Sequence, residues 1–223
     1  QKVVEYAPAA IKRDKTAIAA IMEGLVLSGI AMSYIGNSRP ASGSEHHMSH
    51  YWEMMFLLAG KKDPLHGTKV GVGTVSALRL YEMLKECQLS MVSLQEPHFQ
   101  MAVWEKQILD AYGPAASGVL KLEEDIGKNS DKEVLRRRKI FLDHQEEIWK
   151  ILEALPSSKE IQHLLESMNA PYSPIQLQVP KEVFQKGIYF AKDLRNRFGL
   201  LQSLFDFHLQ ENFSSKLIAE FYE

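Results

Sequence analysis

Two short strings carry most of the residues able to do chemistry. The first is SEHHMSHYWE, residues 44–53. On a helix, His46 and His50 share one face, Glu53 lies a further turn along, and His47 points about 100° away. A His-x-x-x-His pair at that spacing can share a metal such as zinc. A solvated or hydrogen-bonded helix face accounts for the same pattern. The second string is LHGTKVGVG, residues 65–73, which places His66 at the mouth of a helix whose first turns carry Gly67, Gly71 and Gly73. Gly67 and Gly71 stand one turn apart, where another group can approach closely, although plain helix–helix packing explains them as well. A helix from His46 to Leu58 rises roughly 20 Å. The segment from Ala59 to His66 reaches at most about 26 Å when extended. His66 can therefore return beside His46, although nothing in the spacing demands it.

The elements that must position these residues read as helices throughout, without alternating apolar and polar runs joined by hairpin turns. A first helix is expected over Lys15–Ile35, with Ala20, Gly24 and Ser28 forming a strip of small residues. Its length and apolar character approach those of a membrane span, but Glu23 interrupts it and no aromatic belt flanks it. A buried central helix is the expectation. After a break at residues 36–44, Ser44 should cap a helix over 45–58, and a long helix should run from Gly67 to Glu86. Later helices are expected over 98–112, 117–126, 132–155, 158–168, 181–198 and 200–209. Residues 169–180 read as an extended connection in which QLQV is strand-like. Arg136, Arg137 and Arg138 read as a solvated face paired along the helix with Asp143 and Glu146, and Glu123, Glu124 and Asp125 likewise as solvated. Trp52, Trp104 and Trp149 read as packing residues.

Composition narrows the function classes. With 26 Lys and Arg against 28 Asp and Glu, the net charge of -2 gives no electrostatic footprint for nucleic acid. Cys87 is the only cysteine, which excludes a disulfide framework and a thiolate metal cluster and suits a reducing, cytoplasmic setting. The first residues lack the profile of a signal peptide. A chain without a membrane anchor is expected.

The strings then become specific. GNSRPASGSEHHMSHYWEM, a spacer and HGTKVGVGTV resemble the paired motifs of sn-glycerol-1-phosphate dehydrogenases, within the wider group of glycerol dehydrogenases, iron-containing alcohol dehydrogenases and dehydroquinate synthases. AKDLRNRFGLLQSLFDF, residues 191–207, is similar to the closing segment of that family. Residues 88–178 are less diagnostic. The resemblance implies an all-α helical bundle spanning residues 1–223, the C-terminal metal-binding domain of a two-domain enzyme. It implies that His46 and His66 are metal ligands. His50 would lie close to the substrate, bonding a hydroxyl or relaying a proton, and His47 would be a supporting residue. Ser38, Arg39 and Pro40 would border the pocket, with Arg39 as an anion contact or as a surface ion pair that positions the loop. The implied reaction reduces dihydroxyacetone phosphate to sn-glycerol 1-phosphate with NADH or NADPH. A divalent metal (zinc, iron or nickel) would polarise the ketone.

Departures from the pattern matter. The family's third ligand, an aspartate in a Gly-Asp motif, does not precede Lys15, and Asp14 and Asp63 stand in other contexts. No G-x-G-x-x-G follows a strand, and VGVGTV continues a helix rather than opening one. The chain is therefore expected to be a piece lacking the N-terminal nucleotide-binding half, and to be inactive alone. Its expected partners are that half, a phosphorylated triose and a second copy in a homo-oligomer. Alternatives are the corresponding half of a dehydroquinate synthase-like lyase, a non-catalytic helical interaction module, or a metal-dependent hydrolase. Glu45 disfavours the lyase, whose helix usually has Gly before the first His. The hydrolase lacks a matching set of carboxylates.

Overall fold

The computed structural model describes residues 2–92 and 96–223, and among these no strand occurs. In chain order the helices are α1 (Lys2–Ala10), α2 (Lys15–Ile35), α3 (Ser44–Leu58), α4 (His66–Glu86), α5 (Leu89–Val92), α6 (Met101–Tyr112) and α7 (Ala116–Ile126). They continue with α8 (Asp131–Asp143), α9 (Gln145–Glu153), α10 (Ser158–Ser167), α11 (Lys181–Phe190), α12 (Leu200–Asp206) and α13 (Gln210–Tyr222). Short 3₁₀ turns cover Arg39–Ala41, Gly113–Ala115 and Ala191–Leu194. The all-α expectation holds.

Local chemistry sets several ends. Asp14 Oδ1 accepts the N–H of Ala17 at 2.9 Å and opens α2, while Gly36 closes it at φ 72°, a left-handed turn that suits glycine. Ser157 and Glu160 form a reciprocal capping box on α10. The core gathers around α3, which packs on α4 and α11, with Tyr51, Trp52, Phe184, Leu204, Phe213 and Leu217 all buried. Two buried tyrosine hydroxyls find partners: Tyr51 Oη donates to Ala111 O at 2.9 Å and Tyr112 Oη to Phe190 O at 2.7 Å. Trp52 and Trp104 are buried and Trp149 packs against the same core, as expected.

Some expectations fail, each for a physical reason. α2 is not a core helix: only Ala17 and Ala20 are buried, while Ile18, Met22, Leu25, Val26, Leu27 and Ile30 are exposed. Its small-residue strip serves α1 instead, since a Cβ on Gly24 would meet Val3 Cγ2 at 2.8 Å. Ser44 is the first residue of α3 rather than its cap, because its Oγ accepts from Leu201 N at 3.3 Å and ties α3 to α12. The expected helix over 132–155 divides at His144, which lets Phe141 and Trp149 meet edge-on with centroids 5.9 Å apart. The helix from 181 stops at Phe190, where Lys128 Nζ donates to the carbonyls of Lys192 and Arg195 and holds the chain in a tight turn. QLQV forms turns closed on Pro174 and Ile175, with Gln178 at φ 58°, rather than a strand. α1, α5 and α13 add to the expected set.

The charged runs are also less exposed than expected. Arg136 faces solvent and pairs with Glu133, but Arg137 is buried and holds Asp206 through two bonds of 2.6 and 2.8 Å. Arg138 is buried too, its Nε donating to the carbonyl of Asp206. Glu123 is buried and accepts the N–H of Asn129 at 2.7 Å, while Glu124 and Asp125 are exposed. Asp193, Lys192, Lys128 and Asn129 complete this interior network. Burial opposes the charge of Asp193, but Lys192 and Lys128 hold its carboxyl below the ordinary range. Burial pushes Lys128 down to about 8.

Candidate metal centre

The first turns of α3 and α4 meet where their histidines lie. Gly73 makes this possible: a Cβ there would stand 2.6 Å from the carbonyl oxygen of Glu45. The two backbones can therefore approach as closely as glycine allows. Gly71 instead faces Leu165 at ordinary contact distance, and a Cβ on Gly67 would meet open space. Close helix packing accounts for Gly73, the one glycine of α4 at which a Cβ would clash.

The result is a cluster of three imidazoles. The rings of His46 and His66 have centroids 5.4 Å apart, those of His50 and His66 5.2 Å, and those of His46 and His50 6.4 Å. The chain does return as its length allows. His46 Nδ1 donates to Glu45 Oε1 at 2.8 Å, and the same oxygen accepts the N–H of Gly43 at 2.7 Å. With Nδ1 so engaged, the lone pair of Nε2 is the one left for a metal, an arrangement common to metal-bound histidines. Burial, reinforced by the neighbouring His66, lowers the proton affinity of His50 and favours its neutral, ligating form.

A carboxylate joins this cluster. His50, Glu53 and His66 each offer one donor atom, all within 4.8 Å of one another. His50 Nδ1 lies 3.5 Å from Glu53 Oε2. Lys69, wholly buried one turn after His66, places its ammonium 3.4 Å from Glu53 and bonds to Asp63. Asp63 Oδ2 bonds Lys69 and Asp14 Oδ1 accepts at the start of α2, and neither aspartate is among the three donors that lie within 4.8 Å of one another. Two imidazoles and a carboxylate form a donor set known in catalytic zinc sites. Reading the sequence misses the support from Glu45 and Lys69; their adjacency to His46 and His66 is the only hint.

His47 points away into the interior, as its angular position requires. It is buried, its Nε2 has no partner, and burial together with the charges of Arg197 and Lys128 pushes it down to about 4. It lines a cleft of about 440 Å³ with Arg39, Glu45 and Arg197. Arg197 Nη2 donates to Ser38 Oγ at 2.8 Å and its Nη1 to Ser42 O at 3.0 Å, while Arg39 Nη2 reaches Asn196 O at 3.5 Å. Arg39 lines this cleft, and Ser38, outside its lining, accepts from Arg197 of the closing RNRFG string.

No protein-family model matches the chain. Curated relatives do. A protein of Geobacillus thermodenitrificans named glycerol-1-phosphate dehydrogenase, NAD(P)+, is 32% identical over 199 residues, which is 89% of this chain and 41% of that relative. One of the same name from Halalkalibacterium halodurans is 29% identical over 90% of this chain and 41% of its own length. Another from Hyperthermus butylicus is 42% identical over 79 residues, 35% of this chain and 22% of the relative. The chain thus spans about two fifths of the length of the relatives it matches over most of its own, in their C-terminal part.

Proposed function

Starting from this likeness to glycerol-1-phosphate dehydrogenases, we propose that the chain is the helical metal- and substrate-binding part of an NAD(P)-dependent oxidoreductase that reduces dihydroxyacetone phosphate. The observation that carries the reading is the meeting of His46, His50 and His66 from two helices, with ring centroids no more than 6.4 Å apart. His46 and His66 would hold the divalent ion, and His50, half exposed beside them, would face the substrate oxygen and donate or relay its proton. A bound divalent cation such as zinc, iron or nickel would supply Lewis-acid polarisation of a ketone oxygen. Glu45 would hold His46 in its ligating tautomer, Arg39 would line the polar wall that orients the substrate, and Ser38 would hold Arg197 in place on that wall. The hydride would come from a nicotinamide bound by a nucleotide-binding half outside residues 1–223, which act as one helical unit.

The distances favour a second arrangement of the same site. Glu53 with His50 and His66 gives three donors within 4.8 Å, so Glu53 is the carboxylate that the described residues offer in place of an aspartate from outside. Calorimetric titration with dihydroxyacetone phosphate tests the proposal. The chain loaded with Zn²⁺ should bind the ketone more tightly than the metal-free chain, and equal binding in both forms would refute it. Neither form should oxidise NADH when given the ketone; turnover by the chain alone would contradict the division of labour.

A further inference from the structure

Lys69 stands beside the histidine cluster with its side chain wholly buried, a position in which an ammonium needs anionic partners. Two carboxylates supply them. The ammonium bonds to Asp63 Oδ2 in the connection between α3 and α4, and it lies 3.4 Å from Glu53 Oε2 on α3. Helical spacing sets this up. His50 and Glu53 stand three residues apart on α3, and His66 and Lys69 three apart on α4, so each helix offers a histidine and a charged group on one face. The Glu53 oxygen nearest Lys69 also lies 3.5 Å from His50 Nδ1. Glu53 is at the same time one of three donors, with His50 and His66, that lie within 4.8 Å of one another. A single carboxylate therefore faces both a fixed cation and the place where a metal cation would sit. An ion bound to the oxygen beside Lys69 would stand about 2 Å from it and within roughly 6 Å of the ammonium. Salt screens little at that separation. Lys69 has no route to solvent, whereas Asp63 keeps it paired when Glu53 turns to an ion.

We propose that Lys69 is a positioning residue that competes with the metal for Glu53, with Asp63 holding the ammonium whenever Glu53 is taken. While Lys69 holds Glu53, the ion keeps an open coordination position that a substrate oxygen can take, as a catalytic site requires. The consequence is opposite in sign to the loss of an ordinary supporting residue, which weakens a metal site. Removing Lys69 frees the carboxylate and takes away a nearby positive charge, so the chain should hold its ion more tightly. The inference rests on the metal centre proposed above, in the arrangement that includes Glu53.

The test is the zinc affinity of the chain, measured by competition with a chromophoric chelator, with urea midpoints as the control for folding. Lys69→Met should bind zinc roughly 10–100-fold more tightly than the wild type, the range for changes next to metal ligands. Lys69→Arg keeps the charge and should show none of this gain. In the Glu53→Gln background the gain from Lys69→Met should vanish, which a general loss of positive charge would not produce. Asp63→Asn leaves the ammonium to Glu53 and should weaken zinc binding, again by about 10–100-fold. That variant keeps the buried lysine, so it carries the test even where Lys69→Met does not fold. Zinc held by the wild type but no more tightly by a folded Lys69→Met overturns the competition. A gain that persists in Glu53→Gln, or unchanged affinity in Asp63→Asn, overturns it as well. Zinc on none of these forms overturns the metal centre and this inference together.

Discussion

His47 gives the fold an acid limit. Its imidazole is neutral in the interior, with its proton affinity lowered from 6.5 to about 4. As pH falls, the unfolded chain takes up the proton first. The stability involved is therefore complete above 6.5 and is lost as pH falls from 6.5 to about 4. The loss amounts to about 3 kcal/mol at 1.36 kcal/mol per pH unit. Urea denaturation between pH 7 and 4 should show this slope, and His47→Gln should flatten it; a slope unchanged in the variant would place the acid sensitivity elsewhere. Glu45 and Glu53 separate the two arrangements of the metal. If the ion sits on His46, Glu45→Gln should weaken zinc by about 10–100-fold, the usual effect of losing a ligand's supporting partner. If it sits on His50 and His66 with Glu53, then Glu53→Gln should carry the greater loss. Competition with a chromophoric chelator reads both.

At the scale of elements, the contact between α3 and α4 is the structural condition for the site. Gly73→Ala would press a methyl against the backbone of Glu45. It should cost about 1–3 kcal/mol, typical of overpacking, and weaken metal binding as the helices part. Gly71→Ala meets only ordinary contact with Leu165 and should gain up to about 1 kcal/mol from helix propensity. Equal urea midpoints for the two variants would refute this account of the helix pair. The interior network is a second condition, since it holds the loop that carries Arg197. Asp193→Asn leaves Lys192 and Lys128 without their buried partner and should cost about 3–5 kcal/mol. The wild-type contribution of Asp193 is present above pH 3.8 and is lost as pH falls through the lower value of the folded state. A variant as stable as the wild type at pH 7 would show that the network is dispensable. These elements were legible to different degrees. Local signals placed α2, α3 and α4 nearly to the residue, because breaks rich in glycine, proline and small polar residues separate the helical runs there. The burial of Arg137 and Glu123 was not legible, because their partners Asp206 and Asn129 are brought to them by the fold rather than by helical spacing.

At the scale of the molecule, the three histidines were brought together as the chain length permitted, and the paired strings around them pointed to the family of the relatives. The place of α2 was not legible: a long apolar helix in sequence looks like a core helix, yet α1 is its main neighbour and most of its large side chains face outward. Arg197 was likewise hidden, since only the folded loops reveal that the closing string braces Ser38 and Ser42. The central claim is that α3 and α4 together hold a divalent cation, and His66 belongs to both arrangements of it. The most direct measurement is therefore the metal content of the purified chain after equilibrium dialysis against Zn²⁺, compared between wild type and His66→Ala. The account predicts about one zinc per chain in the wild type, the stoichiometry of a single three-donor site, and little in the variant. No zinc in the wild type, or the same content in His66→Ala, would contradict it.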